Sequence, residues 1–229
     1  MGELIEKEYR DFIDAINFWL EFCELDDTFY LKLIRDFSLE TVDEFSVCKY
    51  IIRFLELWGM GRVIGLKKDE KFHDLLRDIV RAMNDLREDL KQLEGKRLVT
   101  IDLNKHKDLI KRIFERLSKV KRIGPTSTSK ILHIINPQLF IMWDEKIRDV
   151  YGLKRGSSTE NYWRFMVKMQ KKAIEFLKIY AQEHNLSDLE VAEREISRKY
   201  RGKSLAKLLD EYNWLKATKR LERYRHLLS

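Results

Sequence analysis

Val120-Lys121-Arg122-Ile123-Gly124-Pro125-Thr126-Ser127-Thr128-Ser129-Lys130-Ile131-Leu132-His133 joins a basic helix end to a Ser/Thr-rich helix start through a Gly-Pro break. Glycine tolerates turn conformations that a Cβ disfavours. Proline suits the first helical position, where an N–H would have no intrahelical acceptor. The N–H groups beyond Pro125 then form an electropositive helix N-terminus, and Lys121 and Arg122 add charge beside it. Such a turn is suited to hold a phosphate group.

Outward from this turn the chain reads as helix throughout. Two prolines and nine glycines in 229 residues leave few breakers, and the remainder is rich in helix formers. The fold class is therefore all-α. Apolar residues at helical spacing predict three amphipathic helices between Glu3 and Trp58, with breaks near Asp26-Asp27 and from Ser38 to Asp43. This region is acidic and is expected to face away from any polyanion. Trp58 to Gly65 reads as a turn; its Gly-x-Gly lacks the preceding strand and the following lysine of a phosphate loop. Helix is expected from about 69 to 93, then an extended Leu98 to Leu103, and a helix from His106 to Lys119 capped by Asn104. Beyond the Gly-Pro turn come a helix over Thr126 to Ile135, a stop at Asn136-Pro137, an apolar connector to Trp143, and a helix through Tyr151 capped by Asp144. Further helices fill 160–228, broken near Asn185 to Ser187 and at Gly202.

A hydrophobic content of 44% in 229 residues supports a sizeable core and excludes a mainly disordered chain. Two isolated cysteines, Cys23 and Cys48, complete no metal site or iron–sulfur cluster and are expected as reduced, buried thiols. No cofactor and no metal is expected. The absence of a long apolar run predicts a soluble, cytoplasmic protein without a membrane partner. A charged fraction of 36% suits a thermophile, because ion pairs cost less at high temperature. The net charge of +7 is unevenly spread: 104–125 carries eight Lys/Arg against Asp108 and Glu115, and 201–229 carries eight against Asp210, Glu211 and Glu222. Either these segments meet a polyanion or they are solvated helix faces.

Helix, short glycine hairpin, helix, apolar connector and an Asp at a helix start is an order that resembles the helix-hairpin-helix DNA glycosylase superfamily, over residues 106–152. The hydrophobic phase sets the family's Leu-Pro-Gly-Val-Gly-x-Lys-Thr-Ala run on Val120 through Thr128, with Ile123 at the middle Val, Gly124 at the second Gly and Thr126 at the lysine nucleophile. In the family an Asp follows that lysine by about eighteen positions, and Asp144 stands eighteen after Thr126. Glu145-Lys146-Ile147-Arg148 after it resembles the family's Asp-x-x-Val-x-Arg run. The chain departs in having Arg122 at the first hairpin glycine and Pro125 in place of one backbone donor. Thr126 cannot form a Schiff base, so lyase chemistry at that position is not implied. The four-cysteine cluster of some members is missing too.

The resemblance implies a two-lobed protein, with 104–180 as the hairpin lobe and 1–103 packing with 181–229 as the other, and a base flipped into the cleft between them. It implies duplex DNA, damaged or intact, as partner, and hydrolysis of an N-glycosidic bond. Lys119, Lys121, Arg122, Gly124, Thr126 and Ser127 are the expected DNA contacts. Thr126, Ser129, Lys130 and His133 share a polar face opposite Ile131, Leu132 and Ile135. Lys130 lies one turn after Thr126 and leans toward it, as a substitute nucleophile, a phosphate ligand or a solvent-exposed lysine. Asp144 is a helix cap and, by resemblance, the carboxylate that stabilises charge on the sugar. Trp143 and His133 are set at a base pocket, with Phe140 and Met142 in the core. His133 serves as a hydrogen-bond partner, since no second metal ligand stands at i+3 or i+4. In the tail, Lys203, Lys207, Lys216, Lys219, Arg220, Arg223 and Arg225 alternate with Tyr212, Trp214 and Tyr224. They either track a phosphate backbone or belong to a helix docked on the N-terminal helices. The rival functions are a DNA binder without chemistry and a helical interaction protein. Lesion, strand preference and oligomeric state stay open.

Overall fold

Every regular element among the described residues is helical. The computed structural model describes residues 2–22, 24–60, 65, 71–153 and 155–222, with 24–26 described by backbone alone. Cys23, Arg223, Tyr224, Arg225 and residues 61–64 of the Gly-x-Gly turn lie outside that set. No helix among the described residues is long and apolar enough to cross a membrane. The first helix, Gly2–Phe22, buries Phe12, Ala15 and Ile16 against Leu205–Thr218 and the 26-residue Ser158–Glu183. Phe12, Phe176 and Tyr212 meet as rings 4.9–6.0 Å apart, so the two chain ends share one core. The tail is thus a docked helix whose Tyr212 is buried.

Around the quoted turn the elements follow local chemistry closely. Lys107–Ser118 and Pro125–Ile135 flank it, with Pro125 at the first helical position. Asn136 ends the second helix, and its amide donates to the Leu93 and Lys96 carbonyls at 2.7 and 3.1 Å. Asp144 caps Glu145–Val150 by accepting from the Ile147 N–H at 2.8 Å. The apolar connector is core: Leu139 to Trp143 are all buried, and Trp143 packs with Phe114, Tyr162 and Phe165.

Several expectations are corrected. Leu98 to Leu103 is a string of turns rather than extended chain, because Gln170 takes the Leu98 and Ile101 carbonyls at 2.7 and 2.8 Å. Asn104 caps no helix; Asp102 orders that approach by accepting from the Lys105 N–H, and helix begins at Lys107. Cys48 is half-buried rather than core. The break expected near Asp26-Asp27 falls a few residues earlier: one helix ends at Phe22 and the next, Glu24–Asp36, runs through both aspartates.

Asp27 does something else there. Its carboxylate is buried and takes Lys203 Nζ on both oxygens at 3.0 Å and Arg201 at 3.1 Å. Lys203 also reaches both Glu211 oxygens, at 3.1 and 3.0 Å. Lys207 lies 3.3 Å from Glu211 and donates to Asp210 at 3.1 Å. Three cations and three carboxylates thereby balance, all but Arg201 buried, and join Glu24–Asp36 to Leu205–Thr218. Removing one member of such a set strands a buried charge. Lys203→Met should therefore lower stability by about 3–5 kcal/mol, measured by guanidinium denaturation; a change below about 1 kcal/mol, the scale of a surface pair, would count against this account.

Candidate functional site

Two adjoining hollows lie beside the quoted turn. One is a cavity of about 520 Å³, within the range of small-molecule sites. Its wall carries Trp19, Trp58, Trp143 and Trp214, four of the five tryptophans in the chain, so flat aromatic faces dominate it. The other is a wider groove of about 860 Å³ over the turn and the start of Glu145–Val150, edged by Arg122, Lys146, Arg148 and Arg220. Gly59, Asp144 and Trp214 border both. Groove and cavity thus adjoin at Asp144.

The turn is built differently from its sequence reading. Gly124 has φ −98° and ψ −179°, an extended conformation open to any residue. The left-handed position is Arg122, at φ +71°, where a residue with a Cβ costs about 1–2 kcal/mol. Arg122 thus takes the conformation that a glycine would take at little cost. Nor does space require glycine at 124: a Cβ there would meet nothing within 4 Å. The Thr126 and Ser127 N–H groups, left over by helix geometry, begin the helix at the groove wall. Ser127 is itself buried, its hydroxyl donating to Met60 Sδ at 3.2 Å.

Ser129 ties the turn to Asp144. Its Oγ accepts from the Trp143 N–H at 3.2 Å and donates to the Thr126 carbonyl at 2.9 Å. The Trp143 indole donates to the Pro125 carbonyl at 3.1 Å, and Arg148 lies 5.4 Å over its ring. Oδ1 of Asp144 is the capping atom.

Lys130 is not a solvent-exposed lysine. Only 6% exposed, it lines the cavity and donates to the Trp58 carbonyl at 2.7 Å. Burial pushes its ammonium down to about 8, against the opposing pull of Asp210 and Asp144. Lys207 behaves oppositely. Burial would lower it, but Glu211 and Asp210 outweigh that and hold it above the ordinary lysine range. Its Nζ lies 5.6, 5.3 and 5.5 Å from the rings of Trp19, Tyr30 and Trp58.

Of the expected residues, Asp144, Lys130 and Trp143 come together at the cavity, while Arg122, Gly124, Thr126 and Ser127 line the groove. Three do not join them. His133 is buried behind the cavity, between the Tyr30 hydroxyl at 2.7 Å and the Phe140 carbonyl at 2.6 Å, and burial drives it down to about 3. Its face of the helix meets Glu24–Asp36, so it cannot touch a base. Lys119 is exposed and paired with Glu115 at 2.7 Å. Lys121 borders a separate small recess with Asp74 and Asp78. Lys203 and Lys207 are buried ion-pair partners and track no phosphate backbone; Arg220 does edge the groove, 4.5 Å over Trp214. The N-terminal region, expected to face away, supplies Trp19, Phe29 and Trp58 to the cavity. Asp210 was missed as a cavity residue: Lys207 and Asp210 at i,i+3 signal an ion pair, but not its burial.

Comparison with known proteins found no match, whether to a family model, a curated protein or a solved structure. What the site can do follows from its own geometry.

Lys130 generates a pH test. Its folded-state value lies below that of the unfolded chain, so between about 8 and 10.5 the unfolded chain holds more protons and stability must rise with pH. Relative to Lys130→Met, which cannot titrate, the wild type should gain on the order of 3 kcal/mol across that window. Denaturation of both proteins at either end measures it, and a difference independent of pH would return the amine to water.

Proposed function

We propose that this protein binds duplex DNA along the groove and admits one extruded nucleobase to the cavity, where Asp144 and Lys130 act on the N-glycosidic bond. The observation that carries this reading is the shared border at Asp144 and Trp214: a basic groove and a tryptophan-rich cavity adjoin at a carboxylate. Enzymes that act on a base must take it out of the stack, and the base then needs flat apolar faces and a snug pocket. Tryptophan walls offer those faces. Arg122, Lys146, Arg148 and Arg220 with the Thr126 and Ser127 N–H groups offer phosphate ligands, which position the duplex without reading its sequence. The resemblance of residues 106–152 to the helix-hairpin-helix glycosylases points the same way.

In this reading the base departs with the electron pair of the C1′–N bond, and positive charge develops on the sugar. The Asp144 carboxylate, fixed by its cap and by the Ser129–Trp143 tie, faces that charge. The electron pair of water, or of the unprotonated Lys130 amine, forms the new bond to C1′, and the departing base takes a proton. An amine that titrates near 8 is about one-tenth unprotonated at neutral pH and more so above it, whereas Lys207 stays an ammonium. One observation favours a second reading, a binder without chemistry: Oδ1 of Asp144 is already spent on the Ile147 N–H.

Asp144→Asn separates the two readings, because the amide oxygen keeps the cap and only the charge is lost. Duplexes carrying uracil, oxidised guanine, alkylated adenine or an abasic site would be tested for binding and for alkali-revealed cleavage. Cleavage of one substrate, reduced about 10²–10³-fold in the variant, supports the catalytic reading; binding without cleavage in either protein leaves the binder. DNA affinity should fall with salt, and Arg122→Ala and Arg220→Ala should each reduce the slope of log affinity against log salt by about 1. Salt-independent or undetectable binding would remove both DNA readings.

A further inference from the structure

Lys207 and Asp210 line the cavity but not the groove, so a base entering past Asp144 and Trp214 meets them inside. The glycosidic chemistry needs Asp144 and Lys130 only. Of the other charged lining, Arg53 is more than half exposed and lies 3.6 Å from Glu56, which leaves Lys207 and Asp210 as a second buried polar pair among aromatic and aliphatic side chains, and such a pair orients and selects what enters. Lys207 Nζ gives one N–H to Asp210 Oδ2 at 3.1 Å and faces Glu211 Oε1 at 3.3 Å. An ammonium has three donors, so one is left for a ligand. Among the described residues Asp210 is engaged through Oδ2 alone, and a carboxylate has about four acceptor positions on its two oxygens. The pair therefore presents acceptors beside a donor.

The hydrogen-bonding edges of the bases decide which one complements this. Adenine and cytosine offer one donor next to an acceptor, which matches one carboxylate oxygen and the ammonium and leaves the other carboxylate oxygen without a donor. Uracil and thymine offer a single donor between two acceptors. A guanine edge offers two adjacent donors, the ring N–H and the 2-amino group, followed by the 6-oxo acceptor. Building on the base-cavity reading above, we propose that Asp210 and Lys207 select a 2-amino-6-oxopurine, Asp210 accepting from its two donors and Lys207 donating to its carbonyl. A site built to satisfy polar atoms rejects analogues that leave those atoms unpaired, which gives discrimination that aromatic stacking alone cannot.

The test uses the full chain and duplexes carrying one unpaired, bulged nucleotide, which extrudes at the least unstacking cost. Bulges of deoxyguanosine, deoxyinosine, deoxyadenosine, deoxycytidine and thymidine would be compared with the unbulged duplex, in the wild type and in Asp210→Asn. Deoxyinosine lacks only the 2-amino group. The bulged guanine is expected to bind about tenfold or more tightly than inosine, the scale of one hydrogen bond to a charged group, and Asp210→Asn to erase that preference. Equal affinity for guanine, inosine and adenine bulges, all above the unbulged duplex, would overturn the proposal and leave the base cavity standing. Bulged and unbulged duplexes bound alike would remove the cavity reading and the proposal together. A guanine preference that survives in folded Asp210→Asn also overturns it. The guanine–inosine ratio in the wild type needs no variant, so a value near one decides against the proposal even where Asp210→Asn does not fold.

Discussion

Lys203 has no exposed surface and holds four carboxylate oxygens within 3.1 Å, two from Asp27 and two from Glu211. A lone ammonium at that depth would be prohibitively costly, and so would either carboxylate alone. The set is tolerable because it is complete, with Arg201, Lys203 and Lys207 balancing Asp27, Glu211 and Asp210. Its geometry fixes more than charge. Asp27 belongs to the second helix and Glu211 to the last, so the network holds two distant parts of the chain in register, and Lys207 and Asp210 reach the cavity as its outer members. The cavity wall and its polar floor are thus positioned by the same interaction. Tyr30, Trp19 and Trp58 pack around the Lys207 ammonium, which ties the aromatic walls to the network as well.

The two hollows differ in physics. In the groove, Arg122, Lys146, Arg148 and Arg220 gather from three separate stretches of chain on one surface, where attraction for an anion is long-ranged and screened by salt. In the cavity, Lys130 and Lys207 are both buried, yet their environments drive them in opposite directions: one is desolvated beside a carbonyl, the other is surrounded by carboxylates. Two lysines in one cavity can therefore hold different protonation states at the same pH, the condition for dividing the roles of nucleophile and fixed charge. The Ser129 hydroxyl, which locks Trp143 to the turn, keeps Asp144 at the border between the hollows.

Helices were legible from periodicity and breakers, since the apolar stripe of a helix is written in its own residues. The Gly-Pro turn, the stop at Asn136-Pro137 and the cap at Asp144 were legible for the same reason: each depends on atoms within four residues. Charge was not. The eight basic residues of 104–125 left a polyanion surface and a solvated helix face equally open, and their partners are distant in sequence: Lys111, Arg112 and Arg116 are paired with Glu160, Asp89 and Asp85, and only Lys119 with its neighbour Glu115. His133 and Lys130 sat on one polar face of one helix, yet one is sealed behind Tyr30 and the other opens to the cavity. Trp58 and Trp214 are more than 150 positions apart and share a wall.

By itself, then, the sequence determined the all-helical class, the turn between Lys107–Ser118 and Pro125–Ile135, and Asp144 at the head of the next helix, because those follow from backbone geometry and short-range hydrogen bonding. Only the tertiary structure decided that Arg122 carries the left-handed turn, that Asp27 and Lys203 are buried partners, and that Lys207 and Asp210 belong to a tryptophan-walled cavity. Those outcomes depend on which helix faces are desolvated against each other, and burial, unlike propensity, is a property of pairs of surfaces that one stretch of chain does not contain.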